Sequence, residues 1–146
     1  MSVQIPAERR IVVGVDGSAS SKQALLWAVR QARTTGAVVD AVICWLPPAM
    51  YGLAPVPVDH ELGHAAGKTL AQAVTETLGE EHEVEIRESS VLGNAAEVLL
   101  KQSHGAELLV VGSRGHGGFT GALLGSVGQH CVQHASCPVV VIRDGN

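Results

Sequence analysis

Aromatic side chains are nearly missing from this chain: Trp27, Trp45, Tyr51 and Phe119 are the full set. The core must then come from Val, Leu, Ile and Ala, a composition that suits parallel strands covered by helices. Excess positive charge is missing as well. Ten Lys and Arg stand against fourteen Asp and Glu, a formal net charge of −4, whereas a nucleic-acid binder usually carries a basic stripe. No run approaches the ~20 apolar residues of a membrane span, and Met1 to Arg10 holds no apolar stretch of signal-peptide length. Paired cysteines are also lacking. Cys44, Cys131 and Cys137 are odd in number and show no CxxC spacing, which fits a reduced, cytoplasmic setting. Neither nucleic acid nor membrane is therefore expected as a partner. One domain spanning residues 1–146 is expected, long enough to bury a core.

What is present alternates between strand and helix. Ile11-Val12-Val13-Gly14-Val15 is a compact apolar run closed by Asp16-Gly17-Ser18, a buried strand entering a turn. Ser18, Ser20 and Ser21 are N-cap candidates for a helix with Leu25, Ala28, Val29 and Ala32 on one stripe, and Gly36 is its stop. Val38 to Trp45 reads as a second strand, broken only by Asp40. Leu46 to Val58 holds four prolines and no period. It reads as a long loop, either a lid over a site or a variable surface segment. A helix is expected from about Asp59 to Leu78, with Leu70, Ala73, Val74 and Thr77 inward. The alternation over Glu83 to Arg87 predicts a half-exposed edge strand. Asn94 with Glu97 resembles a capping box for a helix through His104. Strands at Glu107–Gly112 and Pro138–Ile142 flank a last helix over Val127–Ala135. This order predicts an α/β fold, an open parallel sheet with helices on both faces.

Between the fourth strand and the last helix lies the stretch that stands out. Residues 112 to 126 read Gly-Ser-Arg-Gly-His-Gly-Gly-Phe-Thr-Gly-Ala-Leu-Leu-Gly-Ser, with six glycines in fifteen positions. Glycine loses the most conformational freedom on folding, so such a density implies close approach of backbone to something. A loop rich in bare N–H groups that opens a helix is an anion cradle, which points to phosphate.

Other strings catch the eye and fail. His60-Glu61-Leu62-Gly63-His64 satisfies HExxH, the helical spacing that places two imidazoles and a general base on zinc. The longer form needs a third histidine where Leu70 stands, and a catalytic zinc needs three protein ligands. Glu80 or Glu85 could replace it only from a distance. Gly63 to Thr69 imitates a P-loop with one residue too few between its glycines and no preceding strand. His130 and His134 sit four apart on the last helix, a spacing more often found as a surface pair, with Cys131 on another face.

In open doubly wound sheets, ligands bind beyond the carboxyl ends of the strands, where strand order reverses. If strands one and four are neighbours, one crevice collects Asp16, Trp45, Gly112, Arg114, Gly115, Gly125 and Ser126. Gly125-Ser126 would offer helix N–H groups and a hydroxyl to an anion, and Arg114 a positive charge. Singly, Asp16 reads as a turn residue, Trp45 as core and Ser126 as a cap; together with the loop they read as a site.

The spacing Gly112-xx-Gly115-(nine residues)-Gly125-Ser126 resembles the G-2x-G-9x-G-S/T nucleotide motif of the universal stress protein family. Ile11 to Ser18 resembles that family's opening strand, and Cys137 to Val141 its closing one. The resemblance covers the whole chain. It implies a five-stranded parallel sheet of order 3-2-1-4-5, and binding of ATP with Mg²⁺. Asp16 and Trp45 fall at the nucleoside end, Gly112, Arg114 and Gly115 at the ribose and phosphate loop, and Gly125, Ser126 and Val127 at the phosphate-binding helix start. Gly14 and Ser113 complete the implied nucleotide-binding set. One departure is Gly93-Asn94-Ala95, where many members have proline after the glycine. No residue is assigned a catalytic or metal-ligating role. A homodimer through Val139–Ile142 is implied as well, and that strand is apolar on both faces, a hazard if left at an open edge. The favoured function is a nucleotide-dependent stress or signalling protein. The alternative is an adenine-nucleotide hydrolase or phosphoryl/adenylyl transferase using Arg114 and Ser126, and a zinc hydrolase ranks third.

Overall fold

The computed structural model describes residues 8–47, 60–80, 82–113 and 125–143. In chain order its elements are β1 (Arg10–Gly14), α1 (Ala19–Thr35), β2 (Val38–Trp45), α2 (His60–Leu78), β3 (Ile86–Leu92), α3 (Ala95–Gln102), β4 (Leu108–Gly112), α4 (Ser126–His134) and β5 (Val139–Ile142). The strands form one parallel sheet in the order β3-β2-β1-β4-β5. The chain runs outward from β1 to β3, then returns to the other side of β1, so strand order reverses between β1 and β4.

Two apolar layers cover the sheet. On one face α1 and α2 bury Leu25, Ala28, Val29, Leu70 and Val74 against Ile11, Val13, Val39, Ala41 and Val110. On the other, Val98, Leu99 and Cys131 from α3 and α4 cover Val12, Val42, Leu109 and Val111. The alternation along β1 follows from the pleat, since successive side chains point to opposite faces. Both faces of the central strands are covered, which is why they read as unbroken Val/Ile runs.

Helix ends follow their local chemistry. The Ser18 side chain accepts the Ser21 N–H and caps α1. Gly36 ends it at φ 79°, a left-handed conformation that glycine adopts without Cβ strain, with its N–H donated to the Ala32 carbonyl. Asn94 caps α3 by accepting the Glu97 N–H at 3.3 Å. The α2 residues expected inward are buried at Leu70, Ala73 and Val74, while Thr77 is half-buried with a hydroxyl that has no partner among the described residues.

The third strand is displaced from its expected position. Alternation placed it at Glu83–Arg87, whereas it runs over Ile86–Leu92. Its register is set by β2, along whose length Val39 to Trp45 pair with Ile86 to Leu92. An edge strand tolerates Arg87, Glu88 and Ser90 on its exposed positions, so the local pattern gives no hint of the true span.

Asp40, the one charge in the β2 run, has a structural reason. Its Oδ2 accepts from Arg10 Nη1 at 3.0 Å. The same guanidinium donates to the carbonyls of Gln102, at 3.3 Å, and His104, at 3.0 Å. One side chain thus joins β1, β2 and the end of α3 beneath the sheet. Arg10→Met would leave Asp40 and two carbonyls without that donor. The pair is only partly buried, so the expected loss is about 1–2 kcal/mol, read as a lower urea midpoint at unchanged m-value. Adding Asp40→Leu should recover part of it.

The cysteines gather on the α3/α4 face. Cys131 is fully buried, and Cys44 and Cys137 pack against the same cluster. Burial, with Cys131 as the lesser cause, pushes the Cys44 thiol up to about 11. Little thiolate then exists near neutral pH, and thiolate is the nucleophile. Cys44 should be alkylated far more slowly at pH 7.5 in the native protein than in urea. Rapid native labelling of Cys44, located by peptide mapping, would contradict this environment.

Candidate functional site at the carboxyl ends of the strands

The condition on which the crevice depends is met: β1 and β4 pair directly, with Val13 opposite Val110. Gly14, Asp16, Gly112 and Ser113 therefore lie at one end of the sheet, at the reversal of strand order. Leu99 of α3 lies under Gly14, so close that a Cβ there would meet Leu99 Cδ1 at 2.8 Å.

Asp16 is engaged in the turn between β1 and α1. Its Oδ1 accepts the Ser18 N–H at 2.9 Å, and its own N–H donates to Ser21 Oγ at 3.2 Å. Ser21 Oγ in turn donates to the Ser18 carbonyl at 3.0 Å. These bonds form a rigid knot at the head of α1, and they fix where the Asp16 carboxylate stands.

Opposite this knot, the two described ends of the glycine-rich stretch are joined. Gly125 N–H donates to the Ser113 carbonyl at 2.6 Å, and Ser113 N–H donates to the Ile142 carbonyl at 2.8 Å. A single buried residue, Ser113, thereby ties the end of β4 to β5 and to the head of α4. Arg114 and Gly115 lie outside the described residues.

Gly125 is the N-cap of α4, with extended backbone and no side-chain cap bond. Ser126, considered above as a cap, is instead the first helical residue and is exposed. The N–H groups of Ser126, Val127 and Gly128 open the helix, and their N-cap residue, a glycine, has no side chain to bond them, the arrangement that favours an anion. Val127 packs its side chain on the α3/α4 core.

Trp45 stands apart from this group. It lies one strand further out, on the α1/α2 side, with its indole edge against Gly63 of α2. Its carbonyl accepts the Gly93 N–H at 3.0 Å. The structure thus brings together Gly14, Asp16, Gly112, Ser113 and Gly125–Val127 around the β1/β4 reversal. Trp45 flanks them beyond β1.

Two residues that complete this end of the fold were not singled out as site residues from the sequence. Ser20, buried in the first turn of α1, lies directly over Gly112. Its only signal was its place among three N-cap candidates. Gly63 accepts the Ser90 Oγ–H through its carbonyl at 2.9 Å and faces Trp45. Its signal was a glycine inside a helix, which is unfavourable by about 1 kcal/mol unless packing requires it.

The HExxH string does lie on a helix, with His60 and His64 exposed. Leu70 is 1% exposed and faces the core. Among the described residues, no three His, Cys, Asp or Glu side chains are placed to hold a metal. His130 and His134 pack ring on ring, centroids 4.5 Å apart, while Cys131 points inward. No helix among the described residues is long and apolar enough to cross a membrane.

Comparison with known proteins agrees with this architecture. A universal stress protein of Mycolicibacterium smegmatis is 35% identical, over 97% of this chain and 50% of its own length. The chain spans about half the length of the curated relatives it matches. Among solved structures, a universal stress protein in complex with cAMP is 26% identical, with a TM-score of 0.61 over 94% of this chain and 98% of its own. A universal stress protein from Archaeoglobus fulgidus is 25% identical, with a TM-score of 0.68 over 92% and 93%. The profile described as "Universal stress protein family" matches residues 8–143, and the chain belongs to that family.

Proposed function

We propose that this chain binds an adenine nucleotide, ATP with Mg²⁺, at the β1/β4 crevice and serves as a stress-response or signalling protein whose state depends on occupancy. The observation that carries the reading is the Ser113–Gly125 hydrogen bond at 2.6 Å, which holds the uncapped head of α4 beside the end of β4. Phosphates suit that helix start, helped by its dipole and by Arg114 and Gly115 of the motif. The β1/α1 knot around Asp16 and the flanking Trp45 lie where a nucleoside would extend. The 26%-identical neighbour solved with cAMP supports an adenine ligand. Mg²⁺ would ride on the phosphate oxygens.

Two measurements test the reading. Small molecules released from the purified protein should contain unhydrolysed adenine nucleotide. ATP with Mg²⁺ at a hundredfold excess over Kd should add about 2.7 kcal/mol of stability, seen as a rise in Tm. No released nucleotide and no shift in Tm would overturn it.

The proposed assembly is a homodimer through Val139–Ile142. This strand is at the sheet edge and is half-exposed along its whole length. Edge pairing with a second copy would satisfy its backbone and cover its apolar side chains. Light scattering at micromolar concentration should report a dimer; a monomer alone would refute the assembly.

A further inference from the structure

Trp45 is the aromatic side chain at the carboxyl ends of the described strands; Trp27, the other described tryptophan, lies on α1 against the core. A planar base gains by stacking on such a ring, and every base offers a π-face. The position of the indole therefore matters to a nucleotide, and α2, the helix with the HExxH string, packs against it. A Cβ placed on Gly63 would stand 2.9 Å from Trp45 Cζ2, 3.1 Å from Cε2 and 3.3 Å from Nε1. The Nε1–Cε2–Cζ2 edge of the ring thus occupies the space that a side chain at position 63 would need. The helix is held at that height by Ser90 Oγ, which donates to the Gly63 carbonyl at 2.9 Å.

A helix-interior glycine gives up stability relative to alanine, so its presence calls for a reason. One turn on, Gly67 supplies the contrast. Among the described residues, a Cβ there would meet only Ser90 Cβ, at 3.9 Å, an ordinary contact. Two glycines on one helix face therefore differ: only Gly63 is required by a neighbouring ring.

We infer that Gly63 is a positioning residue, which lets α2 hold the Trp45 indole beside the crevice where the base of a bound nucleotide stacks. The inference rests on the nucleotide reading above. It gives the His60–His64 string a use that involves no metal: the position that matters in it is the glycine.

The test uses the full chain carrying Trp27→Phe, so that Trp45 is the sole indole. Gly63→Ala should shift Trp45 emission and its quenching by acrylamide, and weaken ATP·Mg²⁺ about tenfold by calorimetry. Gly67→Ala should leave emission and affinity unchanged while raising Tm. If Gly63→Ala binds ATP as tightly as its parent, or leaves Trp45 emission unmoved, the inference is overturned. If the parent itself binds no nucleotide, it is the nucleotide reading that fails, and the emission arm still tests whether Gly63 sets the ring. Should Gly63→Ala lose its fold, Trp45→Phe on the parent sequence replaces it. The double variant should then refold and bind like Trp45→Phe alone, whereas persistent misfolding would show that the ring is not what Gly63 accommodates.

Discussion

Gly112→Ala is expected to cost about 3 kcal/mol of stability in the absence of any nucleotide, lowering Tm by about 6–12 °C. The motif assigns this glycine to a ligand, but the fold needs it first. A Cβ at position 112 would overlap Ser20 Oγ and would stand 2.8 Å and 2.9 Å from the Ser20 backbone carbon and oxygen. A flexible side chain can turn away, but the first turn of α1 cannot. It is fixed by the Ser18 cap and by the hydrogen bonds around Asp16 and Ser21. Relief would require β4 and α1 to separate, which disturbs the layer where Val110 meets the α1 core residues. Thermal or urea unfolding of the nucleotide-free variant checks this. Unchanged stability with weakened ATP binding would mean that the glycine serves only the ligand.

That distinction shows what the sequence could convey. Elements fixed by local chemistry were legible: β2 falls on Val38–Trp45 and α1 ends at Gly36, as read. The apolar stripe Leu25, Ala28, Val29 and Ala32 is buried as expected. The β1/β4 pairing and the 3-2-1-4-5 order agree with the expectation drawn from family resemblance. Features that depend on a distant partner were not legible. Strand β3 slid to Ile86–Leu92 because β2 sets its register, and nothing within Glu83–Arg87 records that. Asp40 looked like an interruption until Arg10, thirty residues away, was seen to reach it.

The candidate site divides in the same way. Its spacing pattern is a sequence property, and the glycine and serine positions around the β1/β4 reversal converge as the fold requires. Their neighbours are not encoded in that pattern. Ser20 against Gly112 and Gly63 against Trp45 come from elements distant in sequence that only the fold brings together. Under the proposed function, site glycines would carry two demands at once, close packing between elements and approach to a ligand, and a motif records only the second. Gly112 is the case where the first can be measured separately.

Leu70→His restores the missing third histidine of HExxHxxGxxH, yet it should destabilise the protein by about 4 kcal/mol and create no zinc site. Leu70 is 1% exposed among Leu25, Val29 and their neighbours. Removing a leucine from such a place costs about 2–5 kcal/mol by itself, and an imidazole without partners adds a desolvation penalty. Helix geometry denies the metal in return. At about 100° per residue, position 64 lies about 40° from position 60 around the axis, while position 70 lies about 80° to the other side. It also stands about 9 Å further along the axis than His64, and α2 continues unbroken to Leu78. Zinc needs its nitrogens within about 2.1 Å, so the three rings cannot converge while the helix is intact. Thermal unfolding of Leu70→His with and without zinc decides the matter: the expected result is a low Tm that zinc leaves in place. A zinc-dependent recovery that the parent chain does not show would mean that α2 can break at Gly67, and that its glycines serve flexibility instead of close packing.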